Sequence, residues 1–203
     1  MIINAAHKSK PQIRSAREIA RTRLFRVEEL DICFSNGQER IYERLGEFDS
    51  GHRGVMVVPL VDDDHFLMIR EYAAGTEDYQ LTLPKGLAEP GESLIEGGNR
   101  ELKEEVGYGA REWHHLDDFT LSPNYMSRKI HVMVARGLYE EPLDGDEPEP
   151  LEVETFAFAE LLGLCGRPDF TEARAMAALF LVREQLGSMA FTCGESETLR
   201  ESL

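Results

Sequence analysis

Residues 86–108 read GLAEPGESLIEGGNRELKEEVGY. The spacing predicts a helix over 91–106, with Gly107 where a helix stops, because glycine enters the left-handed C-cap conformation most easily. At about 100° per residue, Ile95, Gly98, Leu102 and Val106 share one face, an apolar stripe that must bury itself against a sheet. Glu101, Glu104 and Glu105 fall within an arc of roughly 100° on another face. Three carboxylates so close repel at neutral pH unless a cation gathers them, and their hard oxygen donors suit Mg2+ or Mn2+. Arg100, one turn before Glu104, is placed to orient the cluster through charge-assisted hydrogen bonds. Glu92 stands at the start of the helix, where the helix dipole favours a carboxylate. Gly86 and the Pro90-Gly91 turn let the backbone fold tightly around the site.

Outward from this helix the chain reads as short strands. Residues 55–61 are a β-branched apolar run ending in the turn Asp62-Asp63-Asp64-His65, with 66–70 as the expected partner strand. Further strands are expected at 79–83 (stopped by Pro84), 113–121, 129–135 and 153–158, and helices at 159–164 and 171–186. Nearer the N-terminus, alternating runs in 18–44 are divided by Ser35-Asn36-Gly37, a hairpin signal. Such a small antiparallel sheet is not stable alone, so it must pack on the main domain or on a second copy of the chain. Residues 1–15 are expected to be irregular and 187–203 a loose tail. The division is therefore an N-terminal β extension (1–50), a main domain (51–187) and a tail (188–203). Strands on both sides of one central helix predict an α/β sandwich with a mixed sheet. Neither a Gly-x-Gly-x-x-Gly turn nor a Walker-type phosphate loop occurs.

Composition narrows the function. Across 203 residues, 22 basic against 38 acidic side chains give a net charge of −16, which disfavours binding by neutralising nucleic-acid phosphates. The acid is concentrated: residues 1–50 carry nine basic and eight acidic side chains, whereas 140–154 hold eight acids and no base. No apolar run approaches the ~20 residues of a membrane span. Without a secretory signal, and with Cys33, Cys165 and Cys193 in no metal-like or paired pattern, the expectation is a cytoplasmic protein with reduced thiols.

Gly86, five residues, Glu92, seven residues, then Arg100-Glu101-Leu102-Lys103-Glu104-Glu105-Val106-Gly107 resembles the Nudix box, with Tyr108 a loose fit at an apolar position. The likeness in strand order extends over about 50–186. It implies the Nudix α/β/α sandwich with a mixed sheet, here with a small N-terminal antiparallel β extension. The implied activity is hydrolysis of a nucleoside diphosphate linked to another group, with divalent ions clamping the charge. Glu101 and Glu105 would be metal ligands, and Glu104 a third ligand or the base.

Flanking residues resemble the ADP-ribose pyrophosphatase branch. Ile69-Arg70-Glu71-Tyr72 looks like its substrate-contacting arginine strand, and Tyr79-Gln80-Leu81-Thr82-Leu83-Pro84-Lys85-Gly86 is similar to its Trp-Glu-Leu-Pro-Ala-Gly run. Gln80 and Lys85 depart from that pattern; Lys85 is counted among the metal-binding residues with Glu101, Glu105 and Glu149, and also as a phosphate contact. Pro123 matches the branch's marker proline, and Tyr72 or Tyr125 is a candidate to stack on adenine or ribose. The acidic loop Asp144-Gly145-Asp146-Glu147-Pro148-Glu149-Pro150 would supply a catalytic glutamate, Glu147, and a further ligand, Glu149, with Glu152 as the alternative. The likeness is nearest to bacterial members acting on ADP-ribose, NADH and diadenosine polyphosphates, and it implies Mg2+ or Mn2+, a nucleotide substrate and a homodimer. Alternatives are a nucleotide-sensing domain without turnover and a diadenosine tetraphosphate hydrolase. A nucleoside triphosphate house-cleaner is disfavoured by the N-terminal extension and Pro123.

Overall fold

The computed structural model describes residues 9–46 and 51–193, and these divide into two units, 9–46 with 120–128 and 51–119 with 129–193. In the first unit β1 (Gln12–Arg21), β2 (Arg26–Cys33) and β3 (Glu39–Leu45) form an antiparallel sheet in that order. The expected hairpin turn joins β2 to β3, closed by the Phe34 N–H donating to the Gln38 carbonyl at 2.8 Å. Strand β1 begins inside the stretch expected to be irregular. Its polar, fully exposed sequence carries no burial pattern, and it is a strand because β2 pairs with it from Gln12↔Cys33 to Arg21↔Arg26. The 120–128 segment joins this unit through the Leu45 N–H, which donates to the Tyr125 carbonyl at 2.7 Å. Glu28 is buried here between Arg26 and Arg44, each 2.8 Å away. Residues 1–8 and 47–50, part of the expected extension, lie outside the described residues.

The second unit runs β4 (Arg53–Pro59), β5 (His65–Ala73), β6 (Asp78–Thr82), β7 (Lys85–Ala88), α1 (Leu94–Val106), β8 (Tyr108–Thr120), β9 (Lys129–Glu140), β10 (Glu152–Ala157), α2 (Leu161–Leu164), α3 (Ala173–Gln185) and β11 (Thr192–Cys193). Two sheets result: a five-stranded one ordered β11-β8-β9-β4-β7 and a three-stranded one ordered β10-β5-β6. The larger is mixed, since β4 runs parallel to β9 and antiparallel to β7. The continuous apolar run of β4 follows from burial on both faces. Val55 and Val57 pack with Leu102 and Val106 of α1, whereas Met56 and Val58 pack with Ala178, Leu179 and Val182 of α3. The α/β sandwich expected from sequence is present.

Further expectations are corrected in this unit. Strand β5 is not the sheet partner of β4; apart from one bridge, Leu60↔Phe66, it pairs with β6 and β10 in the other sheet. An apolar run specifies that a strand is buried, not which neighbour it takes. Strand β7 was not foreseen; it is four residues long and lies between Pro84 and the Pro90-Gly91 turn. Within the expected tail, Thr192 and Cys193 pair with Trp113 and Glu112, and residues 194–203 lie outside the described residues. Cys33, Cys165 and Cys193 are free thiols. Among the described residues no helix is long and apolar enough to cross a membrane.

Candidate active site

Helix α1 starts three residues later than its pattern suggests, at a capping box. The Glu96 N–H donates to Ser93 Oγ at 3.1 Å, and the Ser93 N–H returns to the Glu96 carboxylate at 2.7 Å. It ends at Gly107, whose φ of 80° is the left-handed C-cap. Between these ends the helix lies against β7, and the contact organises the glutamates. The Lys85 N–H donates to Glu105 Oε2 at 2.9 Å and the Leu87 N–H to Glu101 Oε1 at 3.1 Å. Gly86 sits between them: a Cβ there would fall 2.1 Å from the Glu101 carboxyl carbon. Any side chain at 86 would displace that carboxylate.

The carboxylates are not equivalent. Glu105 is only 8% exposed, and burial pushes its carboxyl up to about 8, against the Lys85 N–H. Burial also raises Glu101, opposed by Arg100. The cation gathering the remaining acids is Arg100 itself. Its guanidinium donates to Glu92 (3.2 Å), Glu101 (3.0 Å), Glu104 (2.9 Å) and the Leu87 carbonyl (2.8 Å). Glu92 takes the Glu89 N–H at 2.8 Å besides Arg100, so it braces the turn before the helix as well as facing the dipole. A buried carboxyl with raised proton affinity, beside a half-buried carboxylate held by backbone, is a donor set of hard oxygens that fits Mg2+ or Mn2+.

The acidic loop leaves β9 along the C-terminal turn of α1. The Leu143 N–H donates to the Lys103 carbonyl at 3.2 Å, and a Cβ on Gly145 would lie 3.5 Å from Glu104 Cβ. Beyond that point Glu147, Glu149 and Glu152 line a cleft of about 320 Å³ with Arg70, Glu71, Tyr72 and Tyr79. Burial, then Glu71 and Asp146, hold the Glu147 carboxyl above the usual range, with Lys85 opposing. Lys85 Nζ donates to Glu71, and the Tyr79 hydroxyl donates to Glu149. Tyr72 and Tyr79 pair across β5 and β6 with ring centroids 5.6 Å apart at 72°, and both are exposed.

Comparison with known proteins agrees with this geometry. Residues 51–179 match the NUDIX domain model, and residues 11–44 match the model of the NudE-type Nudix hydrolase N-terminal domain. The chain belongs to the Nudix hydrolase family. It is 51% identical over 177 residues to the ADP compounds hydrolase NudE of Escherichia coli (strain K12), covering 87% of this chain and 94% of that one. It is 28% identical over 127 residues to the ADP-ribose pyrophosphatase of Bacillus subtilis (strain 168), covering 62% and 69% of the two chains. A crystal structure of an ADP compounds hydrolase superposes with a TM-score of 0.82 at 49% identity, over 90% of this chain and 97% of that one.

Within this Nudix domain, Gly86, Glu92, Arg100, Glu101, Glu104, Glu105 and Gly107 come together as one β7–α1 unit, and the loop brings Glu147 and Glu149 to the cleft. Lys85 requires correction as a metal-binding position. Its ammonium has three donors and no lone pair, and the structure engages it with Glu71; its contribution to the glutamates is the backbone N–H. Arg70 lines the cleft, but its guanidinium is already held by Asp169 and Glu154, each at 2.9 Å. Pro123 and Tyr125 fall in the first unit. Sequence reasoning passed over Glu71, Tyr79 and Asp169. For Tyr79 a signal existed, since it faces Tyr72 in strand register; Asp169 is 99 residues from Arg70 and carried none.

Proposed function

We propose that this Nudix hydrolase cleaves the pyrophosphate bond of ADP-containing compounds (ADP-ribose, NADH and diadenosine polyphosphates), releasing AMP or a related nucleotide. The observation carrying this reading is the pair Glu101 and Glu105, gripped on either side of Gly86 by β7. The names of the relatives supply the ADP specificity. Glu101, Glu105 and Glu149 would hold Mg2+ or Mn2+, and such an ion would supply countercharge and Lewis-acid polarisation of the pyrophosphate. Arg100 fixes Glu101 and Glu104 in position. Glu147, with its raised affinity for a proton, is suited to take one from water as the oxygen attacks phosphorus and the bond to the bridging oxygen breaks. Glu104 is the reserve candidate for that base. Arg70 and Lys85 face the phosphates, each already pre-positioned by an acid, and the Tyr72–Tyr79 pair offers an aromatic wall for adenine or ribose. Pro123 and Tyr125 remain proposed substrate contacts by resemblance.

The protein is further proposed to be a cytoplasmic homodimer, associating through the β1–β3 sheet. Parallel assays of ADP-ribose, NADH and diadenosine triphosphate, each with Mg2+ and with Mn2+, are expected to yield AMP-containing products from at least one. Tight binding of all three without turnover would replace this reading with a nucleotide-sensing role; preference for diadenosine tetraphosphate would shift the substrate class.

A further inference from the structure

Strands β8 and β9 carry three side chains aimed at one point that the hydrolase chemistry does not use. Asp118 Oδ1 lies 2.9 Å from His115 Nε2 and 2.6 Å from His131 Nδ1. The three ligand atoms all sit within 4.8 Å of one another. His115 and Asp118 are three residues apart on β8, and His131 is on the hydrogen-bonded neighbour β9, so the backbone spacing is set by the sheet. The two rings stand 6.2 Å apart, inclined at 47°.

We propose that His115, Asp118 and His131 form a second metal site, for a borderline divalent ion of the Zn2+ type, with one position left open to water. Two imidazole nitrogens and one carboxylate oxygen are a common ligand set for such ions, with bonds of about 2.0–2.2 Å. Ligands on those bonds stand roughly 3.4 Å apart in a tetrahedron. The observed 2.6 and 2.9 Å pairs therefore need to open by less than an ångström, which side-chain torsions supply. His115 is 45% exposed and moves without disturbing the core. Each imidazole presents its lone pair once the proton occupies the other ring nitrogen, a tautomer change with no net proton loss. Imidazole donors favour Zn2+, Ni2+ and Cu2+ over Mg2+, so this site is chemically separable from the all-oxygen glutamate cluster. The nearby cation is Lys129, 3.9 Å from Asp118 Oδ2; its side chain is more than half exposed and is free to turn to solvent.

The test uses the full chain carrying Glu105→Gln, so that the glutamate cluster does not dominate the titration. Equilibrium dialysis with Zn2+ alone is expected to give one tightly held ion per chain, undiminished by millimolar Mg2+, and Co2+ alone is expected to give visible absorption bands of a nitrogen–oxygen site. Adding His115→Gln should weaken Zn2+ binding by more than the 10–100-fold that outer-shell changes cost. Its metal-free melting temperature should stay within a few degrees of the parent, which separates ligand loss from misfolding. Asp118→Asn should behave likewise. Absence of stoichiometric Zn2+, equal competition by Mg2+, or full retention of Zn2+ by the His115→Gln protein would each overturn the proposal.

Discussion

Glu105 puts a carboxyl where little water reaches it, and its raised proton affinity ties metal, pH and stability together. Between its ordinary value near 4.5 and about 8, the folded chain keeps a proton that the unfolded chain has released. Without metal, stability therefore falls as pH rises through that window and levels off above it. The size is on the order of a few kcal/mol. Burial of Glu101 acts with the same sign. Glu105→Gln should flatten this slope in chelator, seen as melting temperatures at pH 5 and pH 8 that converge, while abolishing metal-dependent turnover. An unchanged slope would show that Glu105 ionises freely in the fold. Asp169 acts in the opposite sense: Arg167, then Arg70, overcome burial and hold it well below the usual carboxylate range, so its contribution is lost only as the solution becomes strongly acidic. The loop glutamates divide by role. Glu147→Gln should lower turnover about 10²–10⁴-fold even at saturating Mg2+, the usual worth of proton transfer. Glu149→Gln should instead raise the metal concentration giving half-maximal rate, and Tyr79→Phe should shift that concentration in the same assay because it frees Glu149. Turnover within a few-fold of the parent in both glutamate variants would make the loop a solvated surface.

At the scale of elements, the approach of α1 to β7 is set by Gly97. A Cβ there would meet Ala88 Cβ at 2.6 Å and its Cα at 2.8 Å, and backbone does not yield as a side-chain tip does. In an open helix, glycine to alanine raises stability by about 1 kcal/mol. Here overpacking reverses the sign, at a cost of about 1–3 kcal/mol. Gly97→Ala should lower the melting temperature, by about 2–4 °C per kcal/mol in a chain of this size. Turnover should fall with it, since the helix carries Glu101 and Glu105 away from the Lys85 and Leu87 N–H groups. A higher melting temperature would show that the helix has room to back off. The Gly107 cap was legible because such a signal is local, whereas the start of the helix at the Ser93 capping box was missed; strand β7 was not legible, because its backbone matters through what docks on it.

For the whole molecule, the first unit exposes Ile13, Ile41 and Tyr42 on a three-stranded sheet and Leu24 and Phe25 in the turn between β1 and β2. Among the described residues, β1 and most of β3, up to the Leu45 end held by the 120–128 segment, are open edges of a kind that pair with another chain. Light scattering should return about twice 23.0 kDa, and Ile41→Glu should return the single mass with the fold retained. A parent protein that scatters as a single chain would end the dimer reading. The sequence by itself determined the helix with its glutamates, the doubly buried run of β4, the hairpin at Ser35-Asn36-Gly37 and the acidic loop. Each of these is written in neighbouring residues, through a period of 3.6, a continuous apolar run, a turn signal or a run of acids. Only the tertiary structure decided that β4 lies between β7 and β9 and not beside β5. It alone decided that Arg100 also reaches Glu92 and the Leu87 carbonyl, that Asp169 holds Arg70, and that His115, Asp118 and His131 meet. A strand's pattern specifies which face is buried but not its neighbour, and a charged side chain's partner is chosen by the whole chain's closure.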